Sequence, residues 1–185
     1  MADMMRSNGK IYTVVAVCLT ILIGLFLYIL SIDRKISKME KESVEMFSLK
    51  GKVIVVTGGT GVLGTSFVNA IMEAKGTVVI LGRNEALCKK SVTDILEKGG
   101  NASYVISDVL DEAALKIAKE SIVERYGRID GLVNAAGGNV PEAVLTSDKD
   151  VFDLNMQGMK DALALNLWGT LMPVQVFGPE IAKSG

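Results

Sequence analysis

The chain has 185 residues, 49% hydrophobic and 22% charged, and its 20 Lys and Arg against 21 Asp and Glu leave a net charge of −1. That length suits one domain plus an appendage, and the near-neutral balance gives a nucleic-acid partner no electrostatic support. Histidine is absent, which excludes imidazole catalysis and histidine metal ligation, and the distant Cys18 and Cys88 suggest neither a disulfide framework nor a metal site.

After a short tail over residues 1–10, residues 11–30 carry no charge: IYTVVAVCLTILIGLFLYIL. As a helix this run would be roughly 30 Å long, the thickness of a bilayer core. Lys10 and Asp33 bound it, and Tyr12 and Tyr28 sit near its ends, where interfacial aromatics are expected. A cleaved signal is the rival reading, but the run exceeds the usual apolar region of a signal peptide and no clear small-x-small site follows. The run therefore reads as a retained, single-pass transmembrane helix in contact with membrane lipid. Arg34, Lys35, Lys38 and Lys41 after the span outnumber Arg6 and Lys10 before it, which puts the rest of the chain on the cytoplasmic side. Residues 31–48 are polar and rich in Glu and Lys. Ile32, Ile36 and Met39 recur at helical spacing, so the segment is either a helical stalk or a solvated tether, and the tether is the preferred reading.

The soluble domain spans residues 49–185. Val53–Thr57 is a continuous β-branched run, as expected for a strand covered on both faces. The cluster Thr57-Gly58-Gly59-Thr60-Gly61-Val62-Leu63-Gly64 follows, and Gly59, Gly61 and Gly64 fit G-x-G-x-x-G. A strand, a tight turn and a helix in that order bring a helix N-terminus and free backbone N–H groups up to a pyrophosphate. The helix over 62–74 is expected to face the sheet with Val62, Phe67, Val68, Ile71 and Met72, and to end with Gly76 at C′. A second strand over 77–81 leads into Gly82-Arg83-Asn84. The acidic residue that receives ribose hydroxyls in NAD sites is missing there, and Arg83 could meet a 2′-phosphate, so the lean is to NADP over NAD. The alternatives are an Arg83 stacked over the adenine or turned to water.

A helix over 85–98 contains Cys88, read as a small buried hydrophobe. A third strand over 102–107 precedes Asp108-Val109, and a helix over 111–125 is started by Asp108 or Asp111. A fourth strand over 129–133 leads into Asn134-Ala135-Ala136-Gly137. Next come a loop over 140–146, a short helical insertion over 148–158 and a long helix over 159–182, bent by Pro173 and ended early by Pro179. The alternation implies an α/β Rossmann-type, doubly wound parallel sheet with right-handed crossovers and, for four strands, the order 3-2-1-4.

Together the glycine cluster over residues 57–64, Asp108-Val109, Asn134 to Gly137, and Asn166 with Gly169-Thr170 resemble the short-chain dehydrogenase/reductase family from about residue 49 to 185. The string Asn134 to Asn139 followed by Pro141 is also similar to a subgroup described as D-mannonate oxidoreductase or fructuronate-reductase-like enzymes. The resemblance implies an NAD(P)-dependent oxidoreductase acting on an alcohol or carbonyl, a sugar acid included, and a homo-oligomer in full-length form. It implies that residues 57–64 bind the cofactor, with Gly58, Gly61 and Gly64 approaching the pyrophosphate, and that Asp108 and Val109 receive the adenine. It further implies that Asn134, Ala135, Ala136 and Gly137 line the ribose, and that Asn166 holds a water in the proton relay.

The family's chemistry needs a serine and a tyrosine with a lysine four residues on, whose charge lowers the tyrosine pKa. Tyr12, Tyr28, Tyr104 and Tyr126 are followed at that distance by Ala16, Ile32, Asp108 and Asp130. The expectation is a C-terminally truncated, cofactor-binding half that is inactive alone, or else a non-catalytic dinucleotide-binding or scaffold protein.

Overall fold

The computed structural model of the chain describes residues 2–147 and 149–184, with side chains throughout except at 2–14 and 40–46. Arg6, Lys10, Tyr12 and Lys41 therefore lie outside the described side chains, and Asp148, at the expected start of the insertion, lies outside the described residues. The chain divides into two compact units, residues 1–47 and residues 48–185.

The first unit is a single helix, α1, over Ala2–Met46. Its stretch Val15–Met39 is long and apolar enough to cross a membrane. The expected tether after residue 30 is instead a continuation of this helix to Met46. Residues 31–46 hold no Gly or Pro and are rich in Lys and Glu, so helix propensity carries the segment on where the apolar run stops.

The second unit is a partial Rossmann-like sheet with helices on both faces. Its strands are β1 (Val53–Thr57), β2 (Thr77–Gly82), β3 (Asn101–Ile106) and β4 (Gly131–Asn134), all parallel and ordered 3-2-1-4. Between them run α2 (Val62–Glu73), α3 (Glu85–Glu97) and α4 (Glu112–Tyr126); α5 (Met156–Leu163) and α6 (Gly169–Ser184) follow β4. Side chains alternate across β1. Val53 and Val55 join Val79, Leu81, Leu115, Ile122, Val176 and Phe177 on one face. Ile54 and Val56 join Val68, Ile71, Val78, Ile80, Val92 and Ile95 on the other. An unbroken apolar strand is thus matched by cover on both sides. Cys88 belongs to the second layer, where burial pushes its thiol pKa up, in keeping with a small buried hydrophobe.

Several local expectations are corrected. In α2 Gly64, Val68 and Ile71 are buried on the sheet and half-buried Met72 packs with them, whereas Val62 and Phe67 are exposed. The 4-then-3 spacing of the buried set fixes the face, and Phe67 lies one residue, about 100°, off it. The left-handed position after α2 is Lys75 (φ 66°), not Gly76. Gly76 N donates to Ile71 O at 2.9 Å, and a Cβ there would meet Ile71 Cγ2 at 2.8 Å, so Gly76 is fixed by close approach rather than by φ. Asp111 rather than Asp108 caps α4, accepting from Ala114 N. Pro179 does not end α6, which continues to Ser184. Val176 and Phe177 hold the helix in the core, and the carbonyl that loses its partner to Pro179 belongs to exposed Gln175, where water can serve it.

At the N-terminal end of the sheet, Asp130 gathers three donors. Its carboxylate accepts from Val53 N at 2.9 Å, Lys52 Nζ at 3.1 Å and the Arg128 guanidinium, whose Nε lies at 2.8 Å. Arg128 also donates to Ser184 O at 3.4 Å. One 5%-exposed carboxylate therefore ties the starts of β1 and β4, and through Arg128 the end of α6.

Candidate functional site

The site lies at the carboxyl end of β1, where the chain turns through Gly58 into α2. Gly58 has φ +61°, and a Cβ on it would stand 2.7 Å from Ala136 Cα. A Cβ on Gly64 would stand 2.1 Å from Gly58 O. Backbone packs on backbone at both positions, and only glycine permits it. Gly61 occupies the N-cap of α2 and no side chain caps the helix. The N–H groups of Val62, Leu63 and Gly64 in its first turn thus remain for a ligand, at the positive end of the helix dipole. Val62 and Leu63 offer backbone here, while their side chains point to solvent.

This turn forms one wall of a cleft of about 170 Å3. Gly58 and Gly61 line it with Gly82 at the end of β2 and Arg83 after it, Ser107 to Val109 after β3, and Ala135 to Gly137 after β4. Loops far apart in sequence converge because all four strands are parallel and end on the same side. Of the expected residues, Gly58, Gly61, Arg83, Asp108, Val109, Ala135, Ala136 and Gly137 meet in this cleft. Thr57 lies beneath it, fully buried, its Oγ1 accepting from Ala135 N and Ala136 N at 3.2 Å each. Gly59 faces inward against Ile80 and Val68. Thr60 stands in the turn without lining the cleft. Asn84 caps α3, its Oδ1 accepting from Leu87 N at 3.1 Å. Asn134 is the last residue of β4, and its Oδ1 is a buried atom without a hydrogen-bond partner.

Asp108 and Arg83 face each other, with Oδ2 and a guanidinium nitrogen 3.7 Å apart and both side chains substantially exposed. The other Asp108 oxygen accepts from Leu110 N at 2.9 Å and shapes the turn. Asn166 sits in a π-helical turn, Ala164–Trp168, between α5 and α6. Its Oδ1 accepts from Gly138 N at 3.0 Å, and its Nδ2 donates to Gly138 O at 2.9 Å and Ala162 O at 2.8 Å. The side chain thereby clamps the loop after β4, and a Cβ on Gly137 would stand 2.7 Å from Asn166 Oδ1. Asn166→Ala should free that loop. Amide exchange at Gly137 and Gly138 is expected to accelerate about tenfold, the loss of a little over 1 kcal/mol of hydrogen bonding.

Sequence reasoning missed Leu81, Gly82, Ser107 and Leu165. Ser107 is 5% exposed on the cleft floor, and Leu165 reaches the cleft from the π turn. Adjacency to Asp108 could have signalled Ser107. Nothing local marks Leu165, because the wide π turn that aims it is a tertiary outcome.

The sequence model described as short chain dehydrogenase matches residues 52–185, with the glycine turn, Asp108, the loop after β4 and Asn166 all inside the match. The chain belongs to the short-chain dehydrogenase family. A second model, described as CcmD family protein, matches residues 1–40. An uncharacterized oxidoreductase UxuB of Bacillus subtilis strain 168 is 34% identical over 145 residues, covering 74% of this chain and 52% of the relative. A crystal structure from Haemophilus influenzae, assigned as a D-mannonate oxidoreductase and holding NAD, superposes with a TM-score of 0.67 at 30% identity, over 72% of this chain and 51% of that one. The NADPH-dependent 3-quinuclidinone reductase of Rhodotorula rubra gives 0.65 at 26% identity, over 77% and 52%. The chain spans about half the length of the curated relatives it matches. For this short-chain dehydrogenase chain, a tight glycine turn whose backbone packs against backbone at Gly58 and Gly64, beside a helix N-terminus without a side-chain cap, fits a ligand that carries phosphates, as a nicotinamide dinucleotide does.

Proposed function

We propose that this chain is the membrane-anchored, cofactor-binding half of an NAD(P)-dependent oxidoreductase that acts on a small alcohol or carbonyl compound, with a sugar acid as the favoured substrate. The observation that carries the reading is the backbone-on-backbone turn at Gly58 and Gly64, which sets the uncapped N-terminus of α2 beside the cleft that Gly58 and Gly61 line. The bound nicotinamide would supply the hydride. The residues of this chain bind and orient: the α2 turn holds the phosphates, Asp108 and Val109 border the adenine end, and Asn134 to Gly137 border the ribose. Asn166 fixes the height of that last loop and is the residue we assign to the proton path. The sugar-acid preference draws on the Asn134 to Asn139 string and the mannonate assignment of the Haemophilus structure. Residues 11–30 would anchor the chain in lipid, with the basic residues after the span holding the soluble unit on the cytoplasmic side.

We further propose NADP(H) over NAD(H), although the Haemophilus structure holds NAD. Arg83 stands at the end of β2 with no acidic residue beside it in sequence, and its loose contact with Asp108 can be exchanged for a 2′-phosphate. Arg83→Ala is expected to weaken NADP+ binding roughly tenfold to a hundredfold and leave NAD+ within a factor of two or so, since a charged hydrogen bond contributes about 1.5–3 kcal/mol. Calorimetric titration of both nucleotides reads this directly. Equal losses for both would remove the 2′-phosphate role.

The lack of a Tyr-x-x-x-Lys among the 185 residues favours a second reading, in which the chain binds dinucleotide without turning it over. Titration of NADP+ and NAD+ onto the detergent-solubilised chain, followed by NAD(P)H oxidation across a panel of keto sugar acids and simple carbonyls, separates the two. Binding without turnover is expected for this chain alone. Turnover above background would make it a complete catalyst, and absence of binding would overturn both readings.

A further inference from the structure

We propose that α1 pairs with α1 of a second copy of this chain in a parallel coiled coil whose seam runs out of the bilayer through Ile29, Ile32, Ile36 and Met39. The proposal rests on the reading of α1 as a membrane anchor. Alternate spacings of three and four join Leu22, Leu25, Ile29, Ile32, Ile36 and Met39, the a and d positions of a heptad. Inside the bilayer that spacing carries no information, because every face of the helix is apolar. Beyond Leu30 it does. Eight of the sixteen residues over 31–46 are charged, yet four of the five apolar ones, Ile32, Ile36, Met39 and Met46, keep to the a and d positions. Val44 is the exception.

Within its own unit the described part of that stripe is exposed. Ile32, Ile36 and Met39 are 38, 51 and 68% exposed. On the reading of residues 11–30 as the span, lipid does not cover it either. The helix is unbroken to Met46, so residues past Leu30 travel out of the bilayer, and at 1.5 Å per residue Met39 lies roughly 14 Å along the axis from Leu30. A second copy suits the stripe for two reasons. Anchoring by the same span puts both helices parallel and in register, so each a and d residue meets its own counterpart. By sequence register, Lys35 then falls at g and Glu40 at e, the positions that pair with opposite charge across a parallel coil. Arg34 falls at f, away from the seam.

Cys18 continues the same register at d and is exposed on α1, whereas Cys88 is buried in the other unit, so the wild-type chain carries its own reporter. The test uses the full chain in native membranes, with carbonate extraction first to establish anchoring independently. Copper-phenanthroline oxidation should then produce a Cys18-linked dimer. In a C18S background, I32C, I36C and M39C should give roughly tenfold more disulfide-linked dimer than R34C and S37C, because only seam positions bring Cα atoms within disulfide reach. Even cross-linking at all five positions, a maximum at 34 and 37, or no dimer from membranes that resist carbonate would overturn the coil while leaving the anchor intact. Release by carbonate would overturn the anchor, and the coil with it.

Discussion

Gly64→Ala is expected to abolish measurable dinucleotide binding and to destabilise the soluble unit by roughly 3 kcal/mol, the upper end of what overpacking costs. The added Cβ would lie 2.1 Å from Gly58 O and 2.8 Å from Gly59 Cα, and neither is the tip of a flexible side chain that can swing away. Relief requires α2 to lift from the turn. That movement carries the first-turn N–H groups off the position where they converge, so affinity falls with stability, by about a hundredfold or more on the same scale of energy. Calorimetric titration of NADP+ with thermal unfolding of the solubilised chain reads both effects. Gly178→Ala is the control: nothing lies within 4 Å of a Cβ there, and nucleotide affinity should not change. Normal binding by the Gly64 variant would mean that the turn is not the phosphate cradle.

Asp130→Ala should cost about 2 kcal/mol and lower Tm by about 7 °C for a unit of this size. The substitution leaves Val53 N without its buried acceptor and takes the shared partner from Arg128 and Lys52, whose side chains are 41 and 45% exposed and can turn to water. Burial alone would push the Asp130 carboxyl pKa up. The hydrogen bonds from Arg128, Val53 N and Lys52 outweigh it and hold the group at about 2. Because the folded value lies below the unfolded one near 3.9, the contribution is fully present above about pH 4 and is lost as pH falls through about 2. The stability gap between wild type and Asp130→Ala should therefore be constant from neutral pH down to about pH 4 and narrow below it. Denaturant unfolding at a series of pH values measures this, and a gap independent of pH would show that the carboxylate charge is not what binds the strands.

Much of the fold is legible in the chain because it depends on neighbours in sequence. A β-branched run followed by glycines and a 3.6-residue repeat specifies strand, turn and helix locally. The right-handed crossover then leaves few arrangements for four such strands, and the order 3-2-1-4 is among them. The glycine turn, Asp108 and the loop after β4 could be assigned to one site on the same grounds, since parallel strands must end together. Cys88 reads correctly as a buried small residue for the similar reason that its helix repeat places it on the sheet side.

What the sequence by itself determined is this alternation, the apolar span and the glycine turn, all written at spacings of a few residues. What only the tertiary structure decided depends on residues brought together from afar. Asp130 reaches Val53 N across 77 residues, Asn166 clamps Gly138 across 28, and Arg83 meets Asp108 from a different strand end. The exposure of Val62, Leu63 and Phe67 and the passage of α6 through Pro179 belong to the same class. In each case the local preference is small, about a kcal/mol or less, and the packing of a whole face or the burial of a charge outweighs it.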